Sequence, residues 1–216
     1  MIDINPLLKY GWTEFNTIAK SDSELIDIAS SIGIVSKDLN GIIINKIKPK
    51  KEGEGMKDSL SFKFGLSSFP YHTDTAYLDK PVDYILFYNE TLNKTCTNLI
   101  SMDVFWEQLS NEELKIFEKS IFLLKTPHFQ KFVHLISGIE KNIRFDPNIM
   151  FPYNSYSKIA QTKINEYLKN QKPISIDWNQ HKILILDNRK ILHNRAKVQE
   201  SNRILKRIYI NELEKK

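Results

Sequence analysis

The stretch Arg203-Ile204-Leu205-Lys206-Arg207-Ile208-Tyr209-Ile210 alternates as a strand does. Successive side chains of a strand point to opposite faces, so Arg203, Leu205, Arg207 and Tyr209 share one face. Ile204, Lys206, Ile208 and Ile210 share the other. Both faces are largely apolar, the pattern of a strand covered on both sides. A guanidinium buried there is costly unless an anion meets it. The strand holds no acidic residue, so bound anionic ligands would account for its two arginines. An edge strand with solvated arginines is the competing reading.

Upstream of this stretch, strand-like runs cover 173–178 and 182–187, and earlier ones 60–64, 70–77 and 82–90, with a short run Gly41–Asn45. Helical periodicity is found three times. Ser21 and Glu24 open a helix over 22–32 with Leu25, Ile28, Ala29 and Ile32 on one face and Gly33 to end it. Ser110 and Glu113 open a second, with Leu114, Phe117, Ile121 and Leu124 on one face. A third covers 156–169, with Ile159, Ala160, Ile164, Tyr167 and Leu168 inward. The order lacks the strand–helix–strand rhythm of a parallel sheet. The expectation is an α+β, mainly β chain: an antiparallel core with helices packed outside it. Residues 48–59 (KPKKEGEGMKDS) bury nothing and read as a mobile loop, too short for a domain linker.

Composition narrows the function classes. A chain of 216 residues, 41% hydrophobic and 26% charged, is of ordinary size for one soluble domain over 1–216. No apolar run nears the roughly 18 residues of a membrane span. The N-terminus lacks a basic start and apolar stretch, so a secretory signal is not expected. Cys96 is the single cysteine, which excludes an internal disulfide and fits a reducing, cytoplasmic setting. The net charge of +5 comes from residues 181–216, which hold ten Lys/Arg against four Asp/Glu. The remainder is nearly neutral, so a nucleic-acid partner is not expected.

Two short motifs carry chemistry. His72-Thr73-Asp74 lies in the extended-looking stretch 69–77, where residues i and i+2 would project together. His193 follows the apolar strand 182–187 and an Asp187-Asn188-Arg189 turn. Two histidines and one carboxylate can occupy one face of a non-haem iron(II) ion and leave three positions open. Taken singly, each motif is equally a hydrogen-bonding pair or a core histidine. His128, His134 and His181 read as loop, packing or turn residues, and Cys96 as a small buried one.

With Arg203-x-x-x-Arg207 these motifs stand in an order that resembles the iron(II)- and 2-oxoglutarate-dependent dioxygenases of the taurine dioxygenase and clavaminate synthase-like group. Thr97-Asn-Leu-Ile-Ser101 before Phe105-Trp106-Glu107-Gln108-Leu109-Ser110, then Ile143-Arg144-Phe145-Asp146, then Asp177-Trp178, extend the resemblance over roughly 22–210. The sequence departs from the group in three places. Lys94-Thr95-Cys96 replaces a Gly-Gly-Asp-like element, which leaves Thr95 as an alternative to Thr97. His193-Asn194-Arg195 stands for His-Gly-Arg, and the chain is short.

The resemblance implies a double-stranded β-helix, or jelly roll, with flanking helices. It implies iron(II) held by His72, Asp74 and His193, and 2-oxoglutarate held by Arg203 and Thr97. Arg207 would meet an anionic group of the substrate or support the cosubstrate. Arg144 and Asp146 would touch substrate or pair with each other. The implied reaction takes dioxygen and 2-oxoglutarate, hydroxylates or desaturates a small, acidic or amino-acid-like substrate, and releases succinate and carbon dioxide. Asp74 favours that outcome over halogenation, since related halogenases lack the carboxylate. The loop 48–59 would act as a lid. Two alternatives remain: a nucleic-acid-directed oxidative demethylase and a non-catalytic jelly-roll binding protein.

Overall fold

The structure is a computed structural model that describes residues 3–57 and 59–213. In chain order its strands are β1 (Trp12–Asn16), β2 (Gly33–Ser36), β3 (Asn45–Ile47), β4 (Tyr84–Asn89), β5 (Asn93–Ser101), β6 (Ile121–Lys125) and β7 (Gln130–His134). Next come β8 (Ile136–Ser137), β9 (Asn142–Ile143), β10 (Met150–Pro152), β11 (Ile174–Trp178), β12 (Lys182–Asp187), β13 (Ile191–Arg195) and β14 (Leu205–Leu213). The helices are α1 (Asn5–Tyr10), α2 (Asp22–Ser30), α3 (Leu60–Phe64), α4 (Asp103–Glu107), α5 (Asn111–Glu118) and α6 (Ser155–Asn170).

All named strand pairs are antiparallel. One sheet runs β1-β12-β4-β14-β2, with β3 also on β14; a second runs β11-β5-β13. Val82 and Phe87, Leu184, Leu205 and Tyr209 of the first sheet's side pack on Leu99, Ile176, Trp178 and Ile191 of the second's. The opposite face of the first sheet packs Leu86, Ile185, Ile208 and Ile210 on Leu7 of α1 and on Leu25, Ala29 and Ile32. The alternation of β14 is the cause: Leu205 and Tyr209 face one layer, Ile208 and Ile210 the other. β14 lies between β4 on one side and β2 and β3 on the other, so it is no edge strand. A third sheet, β10-β6-β7, closes over α5 and α6.

Several local expectations give way to the structure. Residues 60–64 form a helical turn, because the Ser59 side chain accepts the Phe62 N–H (3.2 Å) and Gly65 ends it at φ +49°. The helix from Ser110 stops at Glu118; Ile121 and Leu124 belong to β6. The Ser120 hydroxyl bonds back to Ile116 O (2.7 Å) at that boundary. Residues 41–44 are irregular chain after a turn at 39–40, and the strand begins at Asn45. On α6, Ile159 faces outward at 44% exposure, while Ala160, Ile164 and Tyr167 are buried. Gly33 begins β2 and does not end α2: a Cβ there would collide with Glu212 O of β14. In the loop 48–59, the Gly53 N–H is tied to Phe62 O (2.9 Å); Asp58 lies outside the described residues.

Candidate metal and cosubstrate site

The stretch 70–77 is not a strand. Only His72 bridges to the sheet, exchanging both backbone hydrogen bonds with His193 of β13 (3.0 and 3.1 Å). The chain then turns, with Thr75 at φ +56°, a conformation that costs a β-branched residue about 1–2 kcal/mol. The Thr75 hydroxyl holds the turn by donating to Asp74 O (2.7 Å) and accepting the Val82 N–H (2.9 Å). His72 and Asp74 therefore converge through a strained turn, not through strand alternation.

Asn188 clamps that turn from β12's end. Its side-chain oxygen accepts the Asp74 N–H (2.8 Å), and its amide donates to Asp74 O (3.0 Å) and Val82 O (2.9 Å). Asp187 and Arg189 lock the neighbouring turn through two ion-paired contacts (2.9 and 2.7 Å), and Arg189 also reaches Tyr84 Oη (2.6 Å). Sequence alone assigns Asn188 no role. Its only signal there is a buried-strand run ending in Asp-Asn.

His72, Asp74 and His193 are all buried, and a set of their ligand atoms lies within 4.8 Å of one another. Asp74 Oδ1 is 3.5 Å from His72 Nε2 and 3.7 Å from His193 Nε2. Metal bonds of about 2.1 Å at right angles place neighbouring donors about 3 Å apart, so the set fits a divalent ion after a small contraction. The His72 Nδ1–H donates to Pro70 O (2.9 Å), so Nε2 is the nitrogen that faces Asp74. Burial and the neighbouring His72 push His193 down to about 3, which favours the neutral ring. Burial opposes the charge of Asp74, but the Arg207 guanidinium and both imidazoles overcome it and hold the carboxyl well below its usual range.

Arg207 meets an anion of the protein itself. The anion that meets it comes from a distant segment: its Nη1 donates to Asp74 Oδ2 (2.7 Å), and the Tyr209 hydroxyl reaches the same oxygen at 3.4 Å. Oδ1 is left for a metal. Arg207 Nε is buried without a partner.

Arg203 lies before β14, not on it, yet it is 2% exposed. Burial lowers it to about 10, and its Nε has no partner. No acidic side chain meets it among the described residues. Nearby, Arg195 donates to Gly65 O and Ser67 O (2.5 Å each) and lies over the Phe69 ring (3.7 Å). Burial and the charge of Arg203 lower Arg195 to about 10, so the two cations are within electrostatic reach of each other.

Thr97 is registered opposite Arg195, as Leu99 is opposite His193, so both pairs share a face. Its Oγ1 accepts the Trp178 indole N–H (3.1 Å). Thr95 Oγ1 accepts the Gln199 N–H (3.0 Å). Asp146 lies within electrostatic reach of His72 and Asp74, and burial raises its carboxyl. Its Oδ1 accepts the Asn148 N–H (2.8 Å). Arg144 does not pair with Asp146; its guanidinium donates to Ala76 O (3.3 Å) and Asp79 O (2.7 Å), in a surface groove shared with Lys131 and Arg189.

No protein-family model matches the sequence, and no curated protein matches it. Solved structures do. Asparagine oxygenase (AsnO) superposes with a TM-score of 0.75 at 14% identity, over 93% of this chain and 73% of that one. The non-haem iron oxygenase OrfP, crystallised with iron and alpha-ketoglutaric acid, gives 0.73 at 16%, over 93% and 75%. PvcB from Pseudomonas aeruginosa gives 0.70 at 14%, over 97% and 82%. The chain shares its fold with these oxygenases over nearly its whole length.

Proposed function

We propose that the chain is an iron(II)- and 2-oxoglutarate-dependent dioxygenase whose residues 1–216 form one catalytic domain. The observation that carries the reading is the buried His72–Asp74–His193 set beside Arg203, a buried guanidinium with no acidic partner. The two facing sheets would be the walls of a double-stranded β-helix, with the site between them. The likeness to AsnO, PvcB and OrfP supports this. A no-longer-catalytic binding protein would have no need to keep a three-donor set with one oxygen of Asp74 free. A nucleic-acid substrate is disfavoured, because Arg195, Arg203 and Arg207 of the basic C-terminal segment point into the protein. The setting would be the cytoplasm, where Cys96 stays reduced; no helix among the described residues is long and apolar enough to cross a membrane.

His72, Asp74 and His193 would hold iron(II). When bound, it supplies dioxygen activation coupled to oxidative decarboxylation of 2-oxoglutarate to succinate and carbon dioxide. The protein's own residues do the rest. Arg203 would grip the far carboxylate of 2-oxoglutarate with a two-pronged hydrogen bond, and Thr97 would add a hydroxyl donor. Arg207 has donors left beyond the one on Asp74, and these would take a carboxylate of the substrate. Asp146, a carboxylate near His72, would take a cationic or amide group. A small amino-acid-like substrate satisfies both, and AsnO has been crystallised with a hydroxylated asparagine and OrfP with a dihydroxylated arginine. Arg144 would brace the turn after Asp74 from outside. The loop 48–59, tied to α3, would close over the site.

The test is succinate release from 2-oxoglutarate under air, with iron(II) and a panel of free amino acids. An amino acid that stimulates release and gains one oxygen, or loses two hydrogens, supports the proposal. No succinate with any substrate, and no iron(II)-dependent binding of 2-oxoglutarate under anaerobic conditions, would sink it.

A further inference from the structure

The proposed contact of Thr97 with 2-oxoglutarate needs more than a hydroxyl at the right place. A hydroxyl has one proton, and that proton must point at the carboxylate. We propose that Trp178 is a positioning residue that fixes the Thr97 proton toward the cosubstrate; this rests on the proposed function of the site.

The geometry starts from a bulge. β11 pairs with β5 through Ile176 opposite Thr97, but the register then shifts, and Trp178 pairs with Asn93. Bulges re-aim side chains, and here the indole turns back along β5 to reach Thr97. Trp178 is fully buried, and Thr97 is 4% exposed. An indole N–H can only donate. By donating to Thr97 Oγ1 at 3.1 Å it occupies an oxygen lone pair, so the hydroxyl proton must swing away from the indole. Thr97 donates to no protein acceptor among the described residues, whereas Thr73, Thr75 and Thr126 spend their protons on carbonyl oxygens. A hydroxyl that accepts a hydrogen bond is also a better donor. Thr97 is thus left with one polarised proton, on the face that carries Arg195 and His193.

The bland role for Trp178 is packing, and the experiment separates the two. 2-Oxoglutarate is titrated calorimetrically into the iron(II)-loaded protein under anaerobic conditions. Trp178→Phe keeps most of the ring and removes the N–H. It should weaken 2-oxoglutarate about fivefold, the worth of one ordinary hydrogen bond. Thr97→Val should weaken it by at least as much. The double variant should match Thr97→Val alone, because an oriented proton that is absent cannot be disoriented. Equal losses that add would mean Trp178 acts by packing, and no loss in Trp178→Phe would overturn the inference outright. A loss in Thr95→Val with none in Thr97→Val would overturn it too. Arg203→Gln is the control. If it leaves affinity unchanged, the cosubstrate reading falls and this inference with it. If it costs tenfold while Trp178→Phe costs nothing, only this inference falls. Should Trp178→Phe not fold, the 15N shift of the Trp178 indole decides the matter in the zinc-loaded protein. It should move on saturation with 2-oxoglutarate, and not in Thr97→Val at saturation. A shift that stays fixed in the unsubstituted protein overturns the proposal.

Discussion

Asp74 serves two partners with its two oxygens, and that makes its removal unlike the removal of either histidine. Oδ1 faces His72 and His193, while Oδ2 carries Arg207. In Asp74→Ala the His72–Asp74–His193 set loses an oxygen donor and Arg207 loses its carboxylate. Breaking a fully buried ion pair costs about 3–5 kcal/mol; Arg207 is 23% exposed, so about 2–3 kcal/mol is expected. His193→Ala removes a neutral ring and strands no charge. It should abolish iron(II) binding and turnover and cost the metal-free fold only the ring's packing on His72 and Phe87. Denaturant unfolding of the two metal-free variants reads the difference. A loss in Asp74→Ala well under 1 kcal/mol would show that the Arg207 contact contributes little. That His72, Asp74 and His193 come together is legible in the sequence, because their order with Arg203-x-x-x-Arg207 carries the resemblance. The turn that joins them is not: Thr75 at positive φ contradicts its own local preference, and its own hydroxyl together with the clamp from Asn188 and Val82 holds it there.

Among the elements, α5 and β2 make specific demands. Ser110 and Glu113 form a complete capping box, and Glu113 also reaches Lys163 of α6 (2.7 Å). Ser110→Ala should cost about 1 kcal/mol. The hydrogen bond from Lys163 lowers the Glu113 carboxyl from 4.5 to about 2. A depressed acid stabilises the fold above its unfolded value and loses that contribution as pH falls. Glu113→Gln should therefore lower the melting temperature at neutral pH, and the deficit should shrink between pH 4.5 and about 2. A deficit independent of pH would point to lost packing instead. Gly33→Ala should cost about 2 kcal/mol or more, since β2 cannot approach Glu212 O with a Cβ in the way; circular-dichroism melting checks it. These elements also show where the legibility of a sequence stops. β12, β14 and α6 are visible in it because long periodic runs report burial directly. The 60–64 turn reads as a strand because Leu60, Phe62 and Phe64 alternate by two, a pattern one helical turn does not contradict. Ile121 and Leu124 continue the helical period of α5 by chance, and the Ser120 break is a tertiary choice. The burial of Arg203 is foreseen for a partly wrong reason: the strand whose alternation predicts it begins two residues later.

For the whole molecule, a buried cation with no acidic partner is a cost borne by the fold until an anion meets it. Arg203 is as buried as a core leucine and meets no acidic side chain among the described residues, so the fold carries a buried charge that no carboxylate offsets. Replacing it by methionine, which is apolar and of similar reach, should raise the unfolding free energy measured without ligand by about 1 kcal/mol or more. The same change should weaken 2-oxoglutarate at least tenfold, because the carboxylate then meets no cation. Linkage makes these two effects oppose each other. At a ligand concentration about 100 times the original dissociation constant, the unsubstituted protein gains about 2.7 kcal/mol of stability. With tenfold weaker binding the variant gains only about 1.4 kcal/mol at the same concentration. The advantage of Arg203→Met should therefore shrink or reverse as 2-oxoglutarate is added to the manganese-loaded protein. Urea unfolding with and without the ligand measures all four states. A variant less stable than the original even without ligand would mean that Arg203 is satisfied by the protein itself, and the strongest physical argument for an anion between the sheets would be lost.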